Sequence, residues 1–385
     1  MRFRVDRDIL ADAVAWTART LPSRPSVPVL AGIRMEAGDT LNVSSFDYEV
    51  SADVSLPVST EEPGTVLVSG RLLAEIARSL PGRPVDFAVE GSKAVLTCGS
   101  ATFTLLTMPV EDYPTLPQMP PPTGRVGSDV FAAAVSQVAI AAGRDDTLPV
   151  LTGVRVEIDG DTITLASTDR YRLAVRELRW SPVVPEFTAA ALVPARTLAD
   201  TARSLTSGAE VSIALGLPGL TGEAAPGSTA GEGMIGFEGG GRRTTTRLLD
   251  GEFPKFRSLL PDQVNAVAEL PTAAFTESVK RVSLVAERST PVRLAFSAGQ
   301  LVLEAGTGDE AQAVEAIEAS FDGDDIQIAF NPQYLLDGLA AIDSDTARIS
   351  FTIPTKPAVI TGKPAGDDPG EPDYRYLLMP VRLAG

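Results

Sequence analysis

Site chemistry needs a nucleophile, a titrating acid or base, a metal or a cofactor, and this chain offers few of these in useful patterns. None of its 385 residues is histidine. That removes Ser-His-Asp and Cys-His arrangements, His-ligated zinc and imidazole acid–base catalysis together. The one cysteine, Cys98, stands in the alternating stretch VLTCGSATFTL and reads as a buried structural thiol, which excludes an internal disulfide framework. GEGMIG at 231–236 fits G-x-G-x-x-G in letters only, because it lies in a glycine-rich run and is followed by FEGGG rather than a helix. Gly362-Lys363-Pro364 lacks the upstream glycine and the Ser/Thr of a P-loop. FDGDDI at 321–326 lacks the spacing of a calcium loop and reads as a turn between strands. Paired carboxylates could serve a glycoside hydrolase, but among 50 acids such pairs carry little weight. No catalytic residue, metal or cofactor is expected.

The pattern that does stand out is repetition. LVSGRLLAEIARSL at 67–80 returns as LVPARTLADTARSL at 192–205, identical at nine of fourteen positions. Upstream, VPVLAGIRMEA from Val27 returns as LPVLTGVRVEI from Leu148, with six of eleven positions shared. Each is followed by period-two alternation, LNVSSFDYEVSADV and ITLASTDRYRLAVREL, a half-buried strand signal in which Asp47 and Asp169 correspond. Each unit opens on a helical segment, DRDILADAVAWTARTL and SDVFAAAVSQVAIAAGR, the latter with Ser128 as an expected N-cap. A weaker third copy runs from TAAFTESVKRVSLVAER, with Thr272 as cap, through PVRLAFSAGQLVLEAG to NPQYLLDGLAAID. Proline-bearing separators lie at 118–125 and 259–271. The expectation is an α+β protein of three repeated domains, 1–122, 123–264 and 265–385. The middle one carries a glycine-rich, exposed hairpin excursion at 216–241, with ten glycines in 26 residues.

Composition sets further limits. With 44% hydrophobic and 22% charged residues, folded cores are expected. No apolar run suits a membrane span or a signal peptide, so a soluble, cytoplasmic protein is expected. The net charge of −17 argues against nonspecific coating of nucleic acid or anionic membrane. The six helical windows 7–20, 71–80, 129–144, 196–204, 273–288 and 332–343 nonetheless sum to +1. The helices are thus spared the acidity of the rest, as a face near a polyanion would be; an ordinary solvated helix surface explains the count as well.

SRPSVPVL (23–30), VSGR (68–71), TDRYRLAV (168–175), LDGEFPKFRSLLP (249–261) and YLLMPVRL (376–383) stand in order along the chain. By these motifs it resembles the bacterial DNA polymerase III beta-subunit family, the sliding clamps, along essentially its whole length, in a version like that of high-GC actinobacteria. The resemblance implies three clamp domains, each with two helices packed on antiparallel β-sheets, and a head-to-tail homodimer closing a six-domain ring around double-stranded DNA. It implies tethering of the polymerase for processivity without catalysis, and partnership with a clamp loader, the polymerase III alpha subunit and other clamp-motif peptides. On the matching positions it implies DNA-facing Arg24, Arg71 and Arg196, with Arg78 and Arg203 two turns along the same helices. It implies a peptide pocket of Leu151, Thr168, Arg170, Tyr171, Arg172, Leu173, Pro254, Leu259, Leu377, Met379, Pro380, Val381 and Arg382. It implies a subunit joint involving Phe103, Leu105 and Leu284. The chain departs from the family in the acidic NPQYLLDGLAAID, in Ala384-Gly385 at its end, and in Arg170-Tyr171 where a small residue and histidine are usual. A β-rich peptide-binding scaffold that ignores DNA and a carboxylate-dependent glycoside hydrolase are the competing readings.

Overall fold

A computed structural model describes residues 1–206, 208–216, 233–286, 290–306, 311–363 and 372–382. Each repeat contributes two helices: α1 (Arg7–Thr17) and α2 (Gly70–Ser79), α3 (Ser128–Ala139) and α4 (Ala195–Ser204), α5 (Thr272–Val282) and α6 (Pro332–Ala340). The duplicated fourteen-residue echo is not helix throughout. Its first three residues end the strands Gly64–Ser69 and Thr188–Pro194, and the helix follows directly. Two expected caps do other work. The Ser128 hydroxyl donates to the Gly208 carbonyl, and the Thr272 hydroxyl donates to Ser344 O at 2.8 Å, so each ties a helix start to a neighbouring loop. At α1 the cap is Asp6, whose carboxylate accepts from Asp8 N (2.9 Å) and Ile9 N (3.2 Å). Two segments expected to be irregular are partly strand: Met234–Gly239 within the glycine-rich run, and Ala266–Pro271 within the second separator. Gly236 therefore lies in a strand, and no helix follows GEGMIG. Residues 217–232 of the glycine-rich run fall outside the described residues.

The chain divides into two compact units, and the division cuts across the repeats. The first comprises Met1–Ala132, Ser181–Pro185 and Asp200–Leu248. It is built on a fourteen-stranded sheet in which Val50–Pro57 of the first repeat pairs antiparallel with Arg242–Arg247 of the second, Ala52 opposite Thr244. Its main core gathers Leu10, Val14, Trp16, Ile33, Met35, Leu73, Phe87 and Leu96, so α1 and α2 bury their apolar stripes against the sheet. Cys98 closes Lys93–Cys98 and is fully buried, as its alternating context indicates.

The second unit comprises Ala133–Trp180, Glu186–Ala199 and Leu249–Gly385. A nine-stranded sheet joins the second repeat to the third where Arg172–Arg179 pairs antiparallel with Tyr374–Leu378, Ala174 opposite Tyr376. A four-stranded sheet completes the third repeat, and Phe275, Phe296, Phe330, Phe351 and Leu335 are all but fully buried. FDGDDI is the turn expected, between Ser320–Asp322 and Ile326–Phe330, and Gly323 supplies its positive φ of 127°. Among the described residues, each unit thus contains one strand-to-strand joint between consecutive repeats.

Candidate functional site

The hairpin after each duplicated strand turns the same way. In TDRYR, Asp169 accepts from the backbone N–H of Tyr171 (3.0 Å) and Arg172 (3.1 Å), which forces Arg170 to φ 78°. In the first repeat Asp47 accepts from Glu49 N (3.0 Å) and Val50 N (2.8 Å), and Tyr48 takes φ 77°. A side-chain acceptor that reaches two and three residues on is the Asx turn, and its energy offsets the cost of a left-handed residue other than glycine. The result at 169–171 is a rigid tip with Arg170 and Tyr171 projecting, and Tyr171 is 57% exposed.

That tip faces α6 across a cavity of about 860 Å³, lined among others by Ile140, Arg144, Leu148, Leu151, Arg170, Tyr171, Arg172, Gln333, Tyr334 and Asp337. Arg172 holds the two walls together from below. Its side chain is only 5% exposed. Nε donates to Asp169 Oδ2 at 2.9 Å, and Nη1 donates to Asp337 Oδ2 at 2.6 Å and to Tyr376 Oη at 3.4 Å. Its Cζ lies 4.3 Å from the centroid of the Tyr334 ring. Burial alone would make the guanidinium a stronger acid. Tyr376 and the carboxylates of Asp337 and Asp169 outweigh that, so Arg172 binds its proton more tightly than usual. Burial moves Tyr376 in the same direction, and its hydroxyl donates to Tyr334 O at 2.8 Å. Helix α6 approaches this closely because residue 338 is glycine: a Cβ there would stand 2.5 Å from the Tyr376 ring.

The expected pocket residues fall into three groups. Leu151, Arg170, Tyr171 and Arg172 line the cavity. Leu173 and Leu377 are buried instead, packed with Ala166, Val175 and Phe256 in an apolar cluster flanked by Phe253 and Leu260. Thr168 is buried as well and braces the turn, donating to Arg172 O at 2.7 Å and accepting from Arg170 N at 3.2 Å. Pro254, Leu259, Met379, Val381 and Arg382 are exposed and Pro380 half-buried. Met379 is tied to the tip, its N–H donating to Tyr171 O at 2.9 Å. An apolar, partly open surface beside a polar-rimmed cavity suits a short peptide with hydrophobic anchors.

The five arginines assigned to DNA are all exposed. Arg71 and Arg78 lie on α2, Arg196 and Arg203 on α4, and Arg24 in the loop after α1. Arg203 pairs with Asp200 at 2.6 Å, so part of its charge is met locally. Leu284, in the 3-10 turn after α5, is 84% exposed. Phe103 is half-buried in Ala101–Met108, but Leu105 belongs to its own core at 3% exposure. Its neighbour Leu106, at 72%, is the side chain that projects.

Family models for the DNA polymerase III beta subunit match the chain in order: the N-terminal domain at 1–117, the central domain at 125–255 and the C-terminal domain at 257–382. The chain belongs to the DNA polymerase III beta-subunit family. It is an α+β protein of three clamp domains. It is 62% identical to the beta sliding clamp of Streptomyces coelicolor, over the full length of both. That agrees with the actinobacterial composition. The solved structure of the Bacillus subtilis sliding clamp superposes with a TM-score of 0.89 at 25% identity, and that of Pseudomonas aeruginosa bound to griselimycin with 0.88 at 26%; each covers both chains entirely.

In this beta subunit the far wall of the cavity, formed by Gln333, Tyr334 and Asp337 of α6 with Ile140, Arg144 and Leu148, is not among the residues expected from the sequence. A signal was present. NPQYLLDGLAAID read as an acidic departure from a basic helix face, yet Asp337 is the counter-charge of Arg172, and Asn331 caps the helix by accepting from Tyr334 N at 3.1 Å.

Proposed function

We propose that this beta subunit acts as a head-to-tail pair closed around duplex DNA, with the cavity beside Arg170 and Tyr171 as the entry to its peptide-docking site. As a member of that family the chain is a processivity clamp for DNA polymerase, an accessory subunit that works with DNA and with itself and performs no catalysis. The glycoside-hydrolase and DNA-independent scaffold readings find no support in that family.

The repeated joint is the observation that supports the dimer. Val50–Pro57 receives Arg242–Arg247, and Arg172–Arg179 receives Tyr374–Leu378. The third counterpart, Ala313–Glu318, has a strand partner on one side only among the described residues. The counterpart of the arriving strand, Ala101–Met108, meets Gly64–Ser69 only through Thr107 and Met108. Hairpin registers make Ala313 the equivalent of Ala52 and Ala174, and Phe103 the equivalent of Thr244 and Tyr376. A second copy completes the series, with Phe103 of one protomer opposite Ala313 of the other. A contact of this kind closes a ring when two rotations complete a circle. Phe103 and Leu105 then back the joint from the first domain, and Leu284 approaches from the third, within the division 1–122, 123–264 and 265–385.

Arg24, Arg71, Arg78, Arg196 and Arg203 face the DNA. A clamp must hold by topology and still slide. Base contacts would pin it, and many tight phosphate pairs would make retention salt-sensitive. A mildly basic lining on an acidic protein meets both demands. Leu151, Pro254, Leu259, Met379, Pro380 and Val381 take the leucine or phenylalanine anchors of the polymerase alpha subunit and other clamp-motif proteins, over a floor packed by the buried Leu173 and Leu377. Thr168, Arg170, Tyr171, Arg172 and Arg382 frame them. A separate ATP-driven loader opens the ring, in the bacterial cytoplasm. Sedimentation equilibrium tests the assembly: the proposal requires a particle of twice 40.4 kDa, and a monomer at working concentration contradicts it.

A further inference from the structure

Arg172 is the most enclosed charged side chain at the cavity, and its partners come from three separate stretches of chain. Asp169 is in the hairpin turn, Tyr376 in the strand Tyr374–Leu378, and Asp337 in α6. The two carboxylates spend its charge, so it has little left to offer a ligand. What it presents instead is a surface: the guanidinium lies 4.3 Å from the Tyr334 ring centroid and covers one face of it. Tyr334 is held at its backbone too, its N–H donating to Asn331 Oδ1 at 3.1 Å and its carbonyl accepting from Tyr376 Oη at 2.8 Å. The ring stands 6.4 Å from that of Tyr171, centroid to centroid, and both line the cavity.

Asp337 ties this stack to α6. Its Oδ2 accepts from Arg172 Nη1 at 2.6 Å, and its Oδ1 accepts from Gln333 Nε2 at 2.8 Å, one helical turn back. Asp169 alone would still neutralise Arg172, but it would tie the guanidinium to the hairpin and leave α6 unlinked to it.

We propose that Asp337 is a positioning residue for peptide docking: by holding Arg172 against Tyr334 it fixes that ring as a preformed wall for an apolar anchor of the incoming peptide. A wall set in advance lowers the ordering cost of binding. This rests on the docking function proposed above.

The test uses the full-length dimer and a fluorescein-labelled peptide carrying leucine and phenylalanine anchors, read by anisotropy. Asp337→Asn should weaken binding about tenfold, a 1.4 kcal/mol change, while Asp337→Glu recovers part of the loss. In a Tyr334→Ala background Asp337→Asn should add nothing, because its effect passes through the ring. An equal loss in both backgrounds would mean a general disturbance of α6 and would overturn the inference, as would unchanged binding by Asp337→Asn. If Asp337→Asn does not fold, Asp337→Glu measured with and without Tyr334→Ala decides by the same comparison. Failure of the unmodified dimer to bind the peptide would instead overturn the docking function itself, and the inference with it.

Discussion

Asp47 and Asp169 do the same job 122 positions apart: each carboxylate takes the backbone N–H groups two and three residues on and so sets the hairpin that receives a strand from the next domain. The repeat therefore copies a joint as well as a fold. It also makes the subunit contact open to test at single-residue resolution.

The register of that contact is the first prediction. Phe103→Cys and Ala313→Cys in one chain should form disulfide-linked dimers on oxidation, since directly opposed residues lie within the roughly 4.4–6.8 Å Cα range a disulfide spans. Native Cys98 is buried and should not compete. Non-reducing electrophoresis reads the outcome. Crosslinking that is better for Leu105→Cys with Ala313→Cys would place the strands two residues out.

Gly338 should not tolerate a methyl group. Alanine normally gains about 1 kcal/mol over glycine inside a helix, but here the Cβ would lie 2.5 Å from Tyr376 Cδ1 and Cε1. Overpacking of this kind costs about 1–3 kcal/mol. Gly338→Ala should therefore lower the urea midpoint, and a rise in midpoint would show that α6 leaves room for a methyl group beside Tyr376.

Arg170 holds a backbone conformation that suits glycine, at φ 78°. Arg170→Gly should leave stability unchanged or raise it by up to about 1 kcal/mol, because relief of left-handed strain and the extra freedom of the unfolded chain nearly cancel. Chemical denaturation checks this. A loss above about 1 kcal/mol would mean that the Arg170 side chain itself anchors the tip.

Stability should be almost flat between about pH 6 and 8, since no histidine titrates there, and should fall in acid. Glu157 sits below its ordinary value despite burial, because Arg257 and Arg155 hold the charged form, and Glu315 is lowered by Arg281 and Ser278. A depressed carboxylate contributes fully above its unfolded pKa and loses that contribution as pH falls through the folded one. Thermal melts across pH should show the midpoint dropping below about pH 4.5; a drop already complete near neutrality would contradict this.

The triplication and the helix positions were legible because duplicated letters survive in LVxxRxLAxxARSL and in the alternating strands that follow. The strand start of that echo was not, since LVS and LVP read equally well as a helix end. Ser128 and Thr272 looked like caps by position, but tertiary partners claimed their hydroxyls. Leu105 and Leu106 differ only in which way the strand turns them, which pairing decides. The far wall of the cavity was the least legible part. Arg172 meets Asp337 across 165 residues, and no local spacing rule links them.

Paired with a copy of itself, this chain is proposed to hold DNA by enclosing it. The most direct measurement loads the protein onto a nicked circular plasmid with a clamp loader, removes free protein by gel filtration, and compares retention before and after one restriction cut. Enclosure requires that the clamp stay with the circle at high salt and leave once the DNA has ends. Equal retention on circular and linear DNA, or release from both as salt rises, would contradict it.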